Sequence, residues 1–192
     1  MDHPGQVSFR PPTIKFTDVA CGDHFSAAVS TSGDLYTWGR QDFLQLGYSL
    51  DANEEKKKSQ KKTKGASSSL SPRLGKGGAP FPRPILGDLR GSVVSVSVGT
   101  DHVCAVVQSG QLYTWGRGAF SQLGLGDSKD RLLPCAVPGL PGSVASVSAG
   151  WRFTVCALDD GSVYSWGAGS AGQLGHQSKL RRRVPTKIEA FE

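Results

Sequence analysis

Gly110-Gln-Leu-Tyr-Thr-Trp-Gly116, followed by Gln122-Leu-Gly124, decides the fold, because the chain carries this pattern three times. The other copies are Gly33-Asp-Leu-Tyr-Thr-Trp-Gly39 with Gln45-Leu-Gly47, and Gly161-Ser-Val-Tyr-Ser-Trp-Gly167 with Gln173-Leu-Gly175. Eleven residues before each turn glycine stands another glycine, Gly22, Gly99 or Gly150, at the end of a small-residue run such as Val96-Ser-Val-Gly99. These internal spacings are identical in all three copies. The second and third copies start 51 residues apart, and the first and second 77 apart. The 26-residue excess falls in a lysine- and serine-rich segment. A fixed period of tens of residues is the mark of a repeat architecture, in which each unit buries its apolar face only against a neighbour.

Each copy reads as strands. Val93–Val98 and Val144–Ser148 alternate β-branched with small or polar residues, the period of a half-buried strand. A second apolar run follows, Cys104–Val107 or Val155–Leu158. Ser32-Gly33, Ser109-Gly110 and Asp160-Gly161 then supply the positive φ of a tight hairpin. A third strand is Leu35–Trp38, Leu112–Trp115 or Val163–Trp166, rich in residues that favour sheets. A fourth is expected to start at Pro84, Pro134 and Pro185, where the strand need not donate to a ladder. The fold class is therefore all-β: a partial β-propeller of about three four-stranded blades with one disordered insertion. The expected organisation is an N-terminal tail over 1–12, a first repeat over 13–50 and the insertion over 51–83. A second repeat over 84–133, a third over 134–183 and the start of a further blade over 184–192 complete it.

The formal charge of +6 is confined to the insertion, which holds nine basic and three acidic residues, while the remainder is neutral. The basic character thus says little about the folded surface. No apolar run is long enough for a transmembrane helix, and residues 1–12 do not read as a secretory signal. Cys21, Cys104, Cys135 and Cys156 form no CxxC pair and no zinc-like spacing with histidine. They are expected to be small, reduced, buried residues in a cytoplasmic or nuclear protein.

The pattern Gly-x-x-(His/Phe), Gly-x-(Leu/Val)-Tyr-x-Trp-Gly, Gln-Leu-Gly resembles the regulator of chromosome condensation repeat family over residues 13–50 and 83–188. Kelch repeats carry a Gly-Gly pair, found here only at Gly77-Gly78, and the Trp-Asp dipeptide of WD repeats is absent. The resemblance implies blades of a closed propeller of about seven. Three blades do not close such a ring, so a fragment or short isoform is expected, with bare apolar end faces, marginal stability or self-association.

The repeated Trp38, Trp115 and Trp166 read as core anchors. The position after the first glycine varies instead, as Asp23, Thr100 and Trp151. Variable loop positions on a repeated scaffold are where partners bind, so Asp23, Thr100, Trp151 and Arg152 are the candidate partner-binding residues. Gly150-Trp-Arg-Phe-Thr154 resembles a Gly-Trp-Arg-His-Thr motif from a light-sensing branch of the family, where arginines stack on clustered tryptophans. With Asp23 and Thr100 at the neighbouring positions, no tryptophan cluster is expected here. His102 shares its repeat position with Phe25 and Phe153, which points to packing and not catalysis.

Lys56, Lys57, Lys58, Lys61, Lys62 and Lys64 form a basic run that reads as a solvated linker, a nuclear import signal or a contact to nucleic-acid phosphate. It has no interleaved aromatic for base stacking. A second basic cluster, with Arg181, Arg182 and Arg183, is placed on the loop after the third Gln-Leu-Gly and suits an acidic partner. Ser71-Pro72 is a plausible phosphorylation target beside the lysines. No catalytic set, cofactor motif or metal site stands out. The function expected is a protein-interaction scaffold binding a protein partner through propeller loops. The alternatives are a guanine nucleotide exchange factor, or part of one, for a small GTPase, as the family resemblance implies, and chromatin or nucleic-acid binding through the basic insertion.

Overall fold

Each Ser-Gly or Asp-Gly turn closes a hairpin in which the glycine takes φ of +84° (Gly33), +80° (Gly110) or +85° (Gly161), conformations costly for a side chain. The strands on either side pair in sequence order. The computed structural model describes residues 13–49, 78–85 and 89–189. Among them lie twelve strands in three four-stranded antiparallel meanders. The first contains β1 (Phe16–Cys21), β2 (Phe25–Ser30), β3 (Leu35–Arg40) and β4 (Gly78–Pro84). The second contains β5 (Val93–Val98), β6 (His102–Val107), β7 (Leu112–Gly116) and β8 (Arg131–Ala136). The third contains β9 (Val144–Ala149), β10 (Phe153–Leu158), β11 (Val163–Gly167) and β12 (Arg182–Lys187). The chain is an all-β partial propeller.

The sheets stack face to face, and period-two alternation decides which side chain goes where. From β6, Val103, Ala105 and Val107 enter the core shared with the first sheet, beside Phe25, Val29 and Leu35. The alternate residues Cys104 and Val106 enter the core shared with the third, beside Cys156, Leu158 and Trp166. Gly22 and Gly99 permit this approach: a Cβ on Gly22 would lie 2.6 Å from the Gly99 carbonyl oxygen, and one on Gly99 2.4 Å from that of Gly150. Backbone bonds from Val93 N–H to the Gly33 carbonyl and from Val144 N–H to that of Gly110 tie successive sheets.

The fourth strands differ from the sequence expectation. Thr37 pairs with Arg83, Thr114 with Cys135 and Ser165 with Thr186, so Pro82, not Pro84, matches Pro134 and Pro185. These prolines lie inside their strands, within the irregular stretch opposite each tryptophan where the ladder is broken and no N–H is needed. Gly78–Arg83 is thus strand β4 rather than insertion, and Arg182–Lys187 completes the third sheet rather than opening another blade. The remainder of the insertion, including the basic run Lys56–Lys64 and Ser71, lies outside the described residues.

All four cysteines are free, but only Cys104 and Cys156 are buried; Cys21 is exposed on β1 and Cys135 half-buried on β8. Burial pushes the Cys104 and Cys156 thiols up to about 12. The end sheets each keep an apolar face with no neighbour among the described residues. Val19 is exposed on the first, and Phe153 and Val155 are half-buried on the third.

Candidate functional site

The Gln-Leu-Gly motif builds one rim of the stack. Each glutamine folds back so that Oε1 accepts the backbone N–H two residues earlier: Phe43 to Gln45 (2.8 Å), Phe120 to Gln122 (2.9 Å), Ala171 to Gln173 (2.9 Å). Each leucine carbonyl accepts a hydroxyl from the third strand, Thr37, Thr114 or Ser165. The first two glutamine carbonyls accept from the next sheet's tryptophan: Trp115 Nε1 donates to Gln45 (3.1 Å) and Trp166 Nε1 to Gln122 (2.9 Å). Trp115 and Trp166 are wholly buried, whereas Trp38 is half-buried on the outer face of the first sheet. Trp115 and Trp166 are therefore anchors between blades, and each pins the rim loop of the preceding sheet.

What projects is a ladder of alternating guanidinium and aromatic groups. Arg117 lies 4.1 Å from the Phe43 ring centroid and 5.6 Å from that of Phe120. Arg152 lies 3.9 Å from Phe120 and 3.8 Å from Trp151. The order Phe43, Arg117, Phe120, Arg152, Trp151 crosses all three sheets. Each stacked pair contributes about 0.5–2 kcal/mol, more as water is excluded. The two arginines differ in their edges. Arg117 Nη1 meets Asp101 Oδ2 at 3.1 Å, a half-buried ion pair. Arg152 has no carboxylate or other acceptor among the described residues, although it lies over two rings. Trp151 is 62% exposed, so its outer face is open to a partner.

Of the residues named from the sequence, Trp151 and Arg152 meet in this ladder. Asp23 and Thr100 lie on the same rim, on the first and second sheets, and neither enters it. Arg181 is exposed and donates through Nη1 to the Ala119 carbonyl (3.2 Å), beside Phe120. Arg182 and Arg183 belong to β12, not to the loop where the sequence placed them. Sequence reasoning missed Phe43, Asp101, Arg117 and Phe120. The signal was present: Gly39-Arg-x-x-Phe43 and Gly116-Arg-x-x-Phe120 repeat in register, while the third copy reads Gly167-Ala-x-x-Ala171.

His102 lies wholly buried between the second and third sheets, with Nε2 3.0 Å from Thr154 Oγ1. Burial lowers its pKa to about 4. Thr154 Oγ1 in turn donates to the Gln122 carbonyl (2.9 Å), so the imidazole braces the rim from beneath. No group of three or more His, Cys, Asp or Glu among the described residues is arranged to hold a metal ion. A recess of about 320 Å³ at the opposite rim, lined by Ser109, Leu140 and Ser143 among others, contains no ionisable side chain.

A meander-bladed stack with a Gln–Trp latch between blades defines a propeller-type repeat protein. The chain belongs to the family described as the regulator of chromosome condensation (RCC1) repeat, whose models match residues 32–106, 109–157 and 160–192, and also 16–45, 93–122 and 144–173. It is 34% identical over 179 residues to the ultraviolet-B receptor UVR8 of Arabidopsis thaliana, covering 93% of this chain and 35% of the receptor. It is 32% identical over 178 residues to the E3 ubiquitin-protein ligase HERC2 of Homo sapiens, covering 91% of this chain and 3% of the ligase. The chain thus spans about a third or less of these relatives. Among solved structures it resembles human WBSCR16 (TM-score 0.69, 20% identity, 91% of this chain and 40% of that one). It also resembles Prp20p of Saccharomyces cerevisiae, described with its binding to Gsp1p and histones (TM-score 0.69, 22% identity, 89% of this chain and 37% of that one).

Proposed function

We propose that the chain is a protein-interaction module whose contact surface is the Gln-Leu-Gly rim, centred on Trp151 and Arg152. The observation that carries this is the ladder itself. Five side chains from three sheets are held in one row by stacking, four of them half-buried and Trp151 exposed, so the surface is ordered before a partner arrives, which lowers the entropic cost of binding. Tryptophan and arginine are also the residue types that dominate binding energy at protein interfaces. The relatives support a partner-binding role in kind: Prp20p is described with Gsp1p and histones as binding partners. Guanine nucleotide exchange rests on the family resemblance alone, and nucleic-acid binding through Lys56–Lys64 rests on a segment outside the described residues.

The test is proximity labelling in cells with the full protein. Partners enriched around the unaltered chain are expected to be lost in the double substitution Trp151→Ala/Arg152→Ala. They are expected to persist in Ser109→Arg, at the opposite rim. An unchanged partner set in the rim variant, with normal abundance and thermal stability, would remove the rim from consideration.

A further inference from the structure

Resting on that rim assignment, we infer that Arg152 is a carboxylate-binding residue, and that the partner docks an acidic segment placing an Asp or Glu side chain on its edge and an apolar side chain on Trp151. A guanidinium carries its five donors in the plane of the group, so stacking leaves them free to bond. Arg152 Cζ lies over two aromatic rings, 3.9 Å from the Phe120 centroid and 3.8 Å from that of Trp151. Contact with two rings restrains the group and leaves its in-plane N–H donors to bond outward. Arg117, one rung along, shows what such an edge takes: the Asp101 carboxylate at 3.1 Å. Arg152 lacks that counter-ion among the described residues, and Arg181 adds a second cation, bonded to the Ala119 carbonyl next to Phe120 in the chain. The third-sheet end of the rim therefore carries positive charge with its geometry set and its acceptor missing. The 62% exposure of Trp151 offers apolar area directly beside it. The Arg152 guanidinium beside an exposed indole matches a carboxylate next to a hydrophobic side chain, the bidentate arrangement for which arginine is suited.

A photo-crosslinking residue, p-benzoylphenylalanine, placed at position 151 of the full protein tests this, with the same residue at position 109 as the opposite-rim comparison. Captured peptides are then sequenced by mass spectrometry. Peptides crosslinked at 151 are expected to come from other proteins and to carry Asp or Glu within a few residues of an apolar side chain. Capture is expected to fall at least tenfold in Arg152→Gln. It should fall nearly as far in Arg152→Lys, which keeps the charge but loses the stacked plane, and stay within twofold in Lys15→Gln, which removes a charge at the opposite rim. Capture at 109 with none at 151 would overturn the rim assignment itself. Capture at 151 of neutral or basic segments, of segments anionic only through phosphate, of nucleic acid, or of a second copy of this chain would overturn the carboxylate inference and leave the rim standing. Full capture by Arg152→Gln would do the same.

Discussion

His102 shows how one repeat position serves two purposes. In the outer copies it is a phenylalanine, filling space; in the middle copy an imidazole fills the same space and bonds to Thr154. That substitution makes stability depend on pH. The unfolded chain takes up a proton near the ordinary value of 6.5, the folded chain only near 4. Between those values the unfolded state binds more protons, so the contribution is whole above about pH 6.5, declines as pH falls, and is fully lost below about 4. The loss is on the order of 3 kcal/mol. Urea unfolding of the unaltered chain and of His102→Phe, measured from pH 7.5 to 4, should give difference curves that diverge through this window. A constant difference would show that the imidazole is not held neutral by burial.

At the scale of the element, the hairpin glycines look alike in sequence and are not alike in the structure. Gly33, Gly110 and Gly161 share a positive φ, but a Cβ on Gly110 would lie 2.4 Å from the Ser143 Cβ of the next sheet, and one on Gly33 2.4 Å from that of Ser92. Gly161 has nothing within 4 Å. Gly161→Ala should therefore cost the left-handed backbone strain alone, about 1–2 kcal/mol. Gly110→Ala should cost at least twice as much, because sheets two and three must also part. Thermal unfolding of the two variants side by side checks this, and equal losses would mean that the hairpin tips contribute nothing to blade packing. The strands and turns were legible in the sequence because hairpin chemistry is local. The fourth strand was less so. Its register is set by pairing across a broken ladder, and nothing local distinguishes one proline from another, so the sequence points to Pro84 where the structure has Pro82.

At the scale of the whole molecule, the same limit hid the ladder. Strict repeat positions announce themselves, but Phe43, Arg117, Phe120 and Arg152 come from different loops, and only the stacking of sheets brings them into one row. That stacking also makes stability unequal along the chain. In a linear array each unit's stability is its own plus that of its interfaces. Among the described residues the second sheet has two interfaces, and β6 is buried along its whole length; the third packs on one side, and β10 alternates between buried and half-buried. Among the described residues the first sheet likewise packs on one side only, and Trp38 is half-buried where its counterparts are wholly covered. Opening an end sheet breaks one interface, while opening the middle breaks both. Amide hydrogen exchange on the 192-residue polypeptide should then show β6 and β7 slowest. Amides of β2 and β10 should exchange through smaller openings that depend less on denaturant. Equal protection and equal denaturant dependence in all three sheets would mean that the stack opens only as one unit, and that the Gln–Trp latches couple the blades more tightly than their shared surfaces imply.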